Sequence, residues 1–343
     1  MAKLFKRKEV ETASMDAAEN AIANKEVEGL SQRQIVIKRF IHHRAAMIAL
    51  FSLILITVIV NTALEFKIGP WKIHGWWKYK VTDIPELRYK ECPGQVIGCP
   101  TLKLFPPSLG EHPFGQDDIG RDYLALVMRG AQRSLMVAFV IGVLGGVIGT
   151  IVGAISGFYR GMVDSVLMRL VDFVITVPAI IIGSVIGYRY GNLGAGFLAI
   201  YLGLFSWTGL SRLVRGEFLK LREMEFVDAA RVAGASNRRI IFKHILPNAV
   251  GIIIVSVTLL MSSAILLETA LSYIGFGVVA PDVSLGLLIS TYQDSFTSRP
   301  FLFWWPGFFI ISIALSINFI GDGLRDAFDP RQRRRVSRKE RGK

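Results

Sequence analysis

Few residues in this 343-residue chain are of a type and spacing that could do chemistry. The stretch EFVDAARVAGASNRRIIFKHILPN, from Glu225, sets an acid, Asp228, beside Ala229 and Ala230, with Gly234 four residues after Ala230 and Ala235 next to it. Gly234 can take the left-handed conformation that ends a helix, and Ser236 can cap the next one. The spacing predicts a helix, a tight turn and a second helix that stops at Pro247, where an N–H is missing. The two alanines leave a thin face that another protein can approach closely. Arg231, Arg238, Arg239 and Lys243 supply a polar rim, which suits docking into a groove. A basic amphipathic helix lying on a membrane has the same pattern.

Two acids fall at the ends of apolar runs, Asp172 and Glu268. Ionisable groups near a bilayer interior are costly there and are functional candidates by default. Glu268 is expected either to line a translocation path or to contact a partner subunit. Asp172 is expected to pair with Arg169 at i, i+3, and Asp322 with Arg325 at the same spacing. Cys92 and Cys99 form a disulfide in an oxidising compartment or remain two free thiols. His42 and His43 are adjacent and do not share a helix face, so they do not read as a metal site. The chain contains no G-x-x-x-x-G-K-[ST], no H-E-x-x-H and no C-x-x-C. Catalytic residues and metal ligands are therefore expected to be absent, and nucleotide hydrolysis would need separate subunits.

The elements that must hold these residues are apolar runs. Hydrophobic residues make up 52% of the chain and charged residues only 20%. Six runs lack Asp, Glu, Lys and Arg: residues 45–64, 134–159, 173–188, 190–211, 248–267 and 300–321. A helix needs about 20 apolar residues to cross a bilayer. Five runs reach that length, and the third must extend back through Asp172 and Arg169. The expected fold class is an all-α polytopic membrane protein with six transmembrane helices. Pro178 and Pro306 predict kinks. The glycines at 142, 145, 146, 149, 153 and 157 predict close helix packing, because small residues four apart let backbones approach.

Charge sets the orientation. Of 40 Lys and Arg, 28 fall on the side that holds both termini, and the other side concentrates its cations in one long loop. By the positive-inside rule both termini are cytoplasmic in a plasma (inner) membrane. The net charge of +13 reads as attraction to anionic membrane lipid, not as nucleic-acid binding, because the basic tail adjoins a span. The domain reading is a cytoplasmic tail at 1–44, a first span at 45–64 and an extracytoplasmic loop at 65–133. A core at 134–324 follows, with a coupling loop at 212–247, and then a basic tail at 325–343. Residues 1–30 have a composition expected to stay disordered.

The 225–248 stretch resembles the E-A-A-x-x-x-G loop of ATP-binding-cassette importer permeases. Asp228 stands where that family usually has Glu, and His244 where it often has Ile. Three further segments resemble the dipeptide, oligopeptide and nickel branch: HPFGQDDIGRD with GAQRSL from His112 to Leu135, ETALSYIGFG from Glu268, and NFIGDGLRDAFDPR from Asn318. Together they are similar to the second, C-type permease of such importers. The resemblance implies the type I importer permease fold, with Glu225, Asp228, Ala229, Ala230, Gly234, Ala235 and Arg238 as the ATPase-coupling residues. It implies a second homologous permease, two cytoplasmic ATPase subunits and an extracytoplasmic solute-binding protein as partners. No cofactor would be bound by this chain, since ATP and Mg belong to the ATPases. The solute is expected to be a di- or oligopeptide; nickel complexes, glutathione or another small solute fit the same architecture. A self-sufficient secondary transporter is the rival reading. It predicts inverted repeats and interrupted helices around midplane ions, and no repeat is visible.

Overall fold

Each long apolar run becomes a helix, because in lipid every backbone polar group must be satisfied within the chain. The computed structural model describes residues 32–68, 71–85, 98–102 and 110–328. The sequence expectations for residues 1–30, for Cys92 and for the tail beyond 328 lie outside the described residues. The helices in chain order begin with α1 (Gln32–His42) and α2 (Arg44–Ala63). After a break come α3 (Tyr123–Tyr159), α4 (Gly161–Thr176), α5 (Ala179–Tyr190), α6 (Ala195–Phe205) and α7 (Thr208–Leu221). The chain ends with α8 (Glu225–Val232), α9 (Leu246–Tyr273), α10 (Leu285–Tyr292) and α11 (Phe301–Phe328). Five helical stretches are long and apolar enough to cross a membrane, and the α4–α5 pair brings the number to six if counted as one bent span. A small antiparallel hairpin, β1 (Phe66–Ile68) with β2 (Trp71–Ile73), is an addition to the all-α expectation; Phe66 is opposite Ile73.

The third span carries the kink expected at Pro178. It is bent by 69° between α4 and α5, at Val177-Pro178. Proline disfavours helical geometry in the residue before it, and Val177 is extended. Asp172 pairs with Arg212 at 2.5 Å, not with the expected Arg169. Helix α4 lies beside α7, which pairs Arg215 with Asp164 as well as Arg212 with Asp172. Similarly, no Asp322–Arg325 ion pair forms among the described residues; at that end His43 Nε2 lies 3.5 Å from Asp326.

Helix α11 continues through Pro306 without a break. A proline leaves the carbonyl four residues earlier without its N–H donor. That carbonyl, on Leu302, instead accepts the hydroxyl of the buried Tyr123.

The glycine stripe of α3 is used inside the chain. A Cβ at Gly153 would lie 2.4 Å from the Ser211 carbonyl oxygen, and one at Gly157 2.7 Å from that of Arg215. Helix α7 thus lies directly on the α3 backbone. The opposite ridge of α3, with Phe139, Val143, Val147 and Ile151, stays exposed. One apolar core joins α2, α3, α10 and α11 at the hairpin end, and a second joins α7, α8 and α9 at the opposite end.

Candidate functional site

The residues expected to couple to an ATPase gather at the end of the bundle opposite the hairpin. Helix α8 has two faces. Val227 and Ala230 are buried against a cluster that includes Phe218, Leu221, Ile240 and Ile245. Glu225, Asp228, Ala229, Gly234 and Arg238 are exposed, and Ala235 is half-buried. Val232 is 91% exposed, an unusual position for a β-branched apolar side chain, and gives the helix an apolar tip. Of the two alanines, then, Ala229 faces outward and Ala230 anchors the helix. Asp228 takes the Arg231 guanidinium at 3.1 Å on the same exposed face.

Gly234 ends α8 as its type predicts, at φ +77°. Its N–H reaches Arg231 O at 2.9 Å, and the Ala235 N–H reaches Ala230 O at 3.0 Å. That pair of bonds is a Schellman cap, which satisfies the last carbonyls of the helix. Ser236 caps the following turn by accepting from Arg239 N. The second helix does not stop at Pro247, however. A short turn, Asn237–Arg239, passes through a π-helical segment, Ile240–Ile245, directly into α9. Pro247 lies in the first turn of α9, where its missing N–H costs little. The wider π-turn, closed by Leu246 N–H on Ile241 O, shifts the bonding pattern just ahead of the proline. The coupling segment is therefore continuous with a spanning helix.

Three further contacts tie this segment to the α3–α4 corner. Arg160 Nη2 lies 2.6 Å from Glu223 Oε1. Arg222 donates to the Phe158 carbonyl. Arg215 forks onto Asp164 with two bonds of 2.6 Å, and Ser156 donates to the same carboxylate. Arg160 is the non-glycine residue at positive φ, 56°, among those described. Burial, together with the nearby Arg160 and Arg231 charges, holds the Arg222 guanidinium below its usual range. Sequence reading missed Arg160, Asp164 and Glu223, because their partners are remote in the chain.

Glu268 is fully buried. Its carboxylate accepts from Ser134 Oγ at 3.0 Å and from Ser272 Oγ at 2.8 Å. In this conformation it presents no surface to a path or to a partner; it joins α3 to α9 within the chain. Ser272 stands at i+4 from Glu268, so half of this arrangement has a local signal.

The segment from His112 to Asp122 forms a second polar centre at the hairpin end. Asp122 caps α3 by accepting from Ala125 N at 2.8 Å. It also accepts from Trp77 Nε1 at 2.8 Å and bonds His112 Nδ1 at 2.7 Å. The equally buried Asp117 accepts from Arg121 Nε at 2.6 Å and from Tyr292 Oη at 3.0 Å. Burial and the Asp117 carboxylate push the Tyr292 phenol up. Cys99 takes part in a disulfide. No group of three or more His, Cys, Asp or Glu among the described residues is placed to hold a metal.

Comparison with known proteins agrees with this geometry. Residues 149–334 match the family described as binding-protein-dependent transport system inner membrane component. The oligopeptide transport system permease protein OppC of Mycobacterium tuberculosis is 36% identical over 304 residues, covering 88% of this chain and 96% of that protein. The chain belongs to this family. OppC of Escherichia coli K12 is 38% identical over 319 residues, covering 93% of this chain and 97% of its own. A putative peptide permease protein of Brucella suis is 37% identical over 295 residues, with 85% and 89% covered. Among solved structures, the MetNI methionine ABC transporter in an inward-facing conformation matches at a TM-score of 0.50 and 20% identity, covering 60% of this chain and 96% of its own. That likeness shows the fold, a type I ABC importer permease. As a member of the family the chain is a membrane-embedded importer component, and the matched region contains both the coupling segment and Glu268.

Proposed function

We propose that this chain is the non-catalytic translocation subunit of an ATP-driven importer of di- or oligopeptides. The observation that carries the reading is α8, a short helix with one face buried in the bundle, an apolar tip at Val232 and an exposed rim of Asp228 and Arg238. Such a surface suits seating in a groove of another protein. The segment after the Gly234 turn runs through the π-helical stretch into α9, which gives a push on α8 a short route into a spanning helix. Glu225, Asp228, Ala229, Ala230, Gly234, Ala235 and Arg238 form the coupling set, with Ala230 as the internal anchor.

The partners are two cytoplasmic ATPase subunits, a second homologous permease and an extracytoplasmic binding protein. ATP and Mg belong to the ATPases, and this chain holds no cofactor. Both termini are cytoplasmic, which puts α8 on the ATPase side and the hairpin outside. Cys92 is the partner proposed for Cys99, being the only other cysteine in the chain. Peptide as solute rests on the names of the relatives. The test is a mild-detergent pull-down of the tagged chain with mass spectrometry. Recovery of two P-loop ATPases and a second six-span permease is expected. A chain that purifies alone and transports without ATPases would make a secondary transporter the better reading.

A further inference from the structure

A crevice of about 1290 Å³ opens between α2 and α3 at the hairpin end. Its composition changes along its length. The mouth is lined by Arg129, Gln132, Asn61, Lys78, Lys80 and Tyr79. The floor is lined by Leu53, Leu135, Met136, Phe139, Met261 and Ile317. From Asn61 to Leu53 on α2 is about 12 Å, and from Arg129 to Phe139 on α3 about 15 Å, at 1.5 Å per helical residue. Half of a 30 Å hydrocarbon core is about 15 Å. The crevice is thus one leaflet deep, with cations at its polar end and hydrocarbon at the other. Trp76, 52% exposed beside the mouth, marks an interfacial level. Phe139 on the floor is 60% exposed, so the crevice is open sideways.

The cations at the mouth are unequally engaged. Arg133 is held by Asp282 at 3.0 Å, and Lys80 by Glu65 at 3.3 Å. Lys78 reaches Glu111 only at 4.0 Å. Arg129 forms no ion pair among the described residues. It donates to Gln132 Oε1 at 2.8 Å, and Gln132 in turn donates to Asn61 Oδ1 at 3.2 Å. That chain of bonds orients a half-buried guanidinium with donors to spare, and guanidinium forks match the oxygens of phosphate.

We propose that this crevice binds the phosphodiester headgroup of a membrane phospholipid at Arg129, with Lys78 beside it and one acyl chain along the Leu53–Phe139 floor. A free anion could use the same guanidinium, but it would leave the apolar floor empty. The site lies apart from α8, so its failure leaves the transport reading intact.

Native mass spectrometry of the intact importer complex tests this, with phosphatidylglycerol, diacylglycerol and glycerol 3-phosphate as the added probes. Phosphatidylglycerol is expected to be retained at least about tenfold better than diacylglycerol, with no displacement by glycerol 3-phosphate. Arg129→Gln should lower that retention about tenfold, whereas Arg129→Lys keeps the charge and should lower it less. Leu53→Trp fills the floor, leaves the cations in place and should also lower it. Unchanged retention in Arg129→Gln would overturn the proposal. So would displacement by glycerol 3-phosphate, which would mark a free-anion site. So would cross-linking of Phe139→Cys to the second permease with no lipid retained, which would mark the crevice as a subunit interface.

Discussion

The two ends of the bundle treat their charges in opposite ways. At the hairpin end Asp117, Asp122 and His112 are buried, and each is bonded to a fixed partner. At the other end Glu225, Asp228, Arg231 and Arg238 stand exposed on and beside a short helix held by two buried side chains and a cap. Buried, fully bonded groups rigidify, because leaving any one of them unpaired is expensive. Exposed pairs contribute little to stability and are free to exchange partners. The contrast separates an end that holds the fold from an end whose exposed charges suit the proposed docking of another protein.

Substitutions at each end should therefore fail in different ways. The largest functional effect is expected from Gly234→Trp. At φ +77° any side chain adds roughly 1–2 kcal/mol of backbone strain, and nothing within 4 Å would obstruct the new side chain internally. The bulk projects from the proposed docking surface instead. Membrane insertion should be normal and ATP-dependent uptake abolished; normal uptake by inserted protein would remove the coupling role. Asp122→Ala should do the reverse. It removes the α3 cap and leaves His112 and Trp77 unpaired, which costs about 2–4 kcal/mol. A thermal melt of the purified complex should fall by several degrees, with activity of the surviving fraction close to normal. The smallest change in stability is expected for Val232→Asp, within about 0.5 kcal/mol because the side chain is already exposed. Its melt should match the parent while co-purification of the ATPases drops. Equal recovery of ATPases would move the contact away from the apolar tip.

The spanning helices were legible because six apolar runs have few other ways to satisfy their backbone in lipid. Gly234 and Ser236 were legible for a similar reason, each being a residue type matched to one backbone task. Pro247 was misread because its missing N–H forbids a helix interior but suits a first turn, and the π-segment that reconciles the two has no sequence signature. At Pro306 the donor that replaces the missing N–H comes from Tyr123, far away in the chain, and has no local signal. Asp172 and Glu268 show the same limit. Their partners, Arg212 and Ser134, are set by how helices pack and not by local spacing.

The most direct test of the importer reading is peptide uptake into proteoliposomes. This chain would be reconstituted with its second permease, the two ATPases and the binding protein, and labelled oligopeptide counted inside with and without ATP. The account predicts accumulation only when ATP and all subunits are present, and none with Gly234→Trp. Accumulation by this chain alone, driven by an ion gradient and indifferent to ATP, would contradict it.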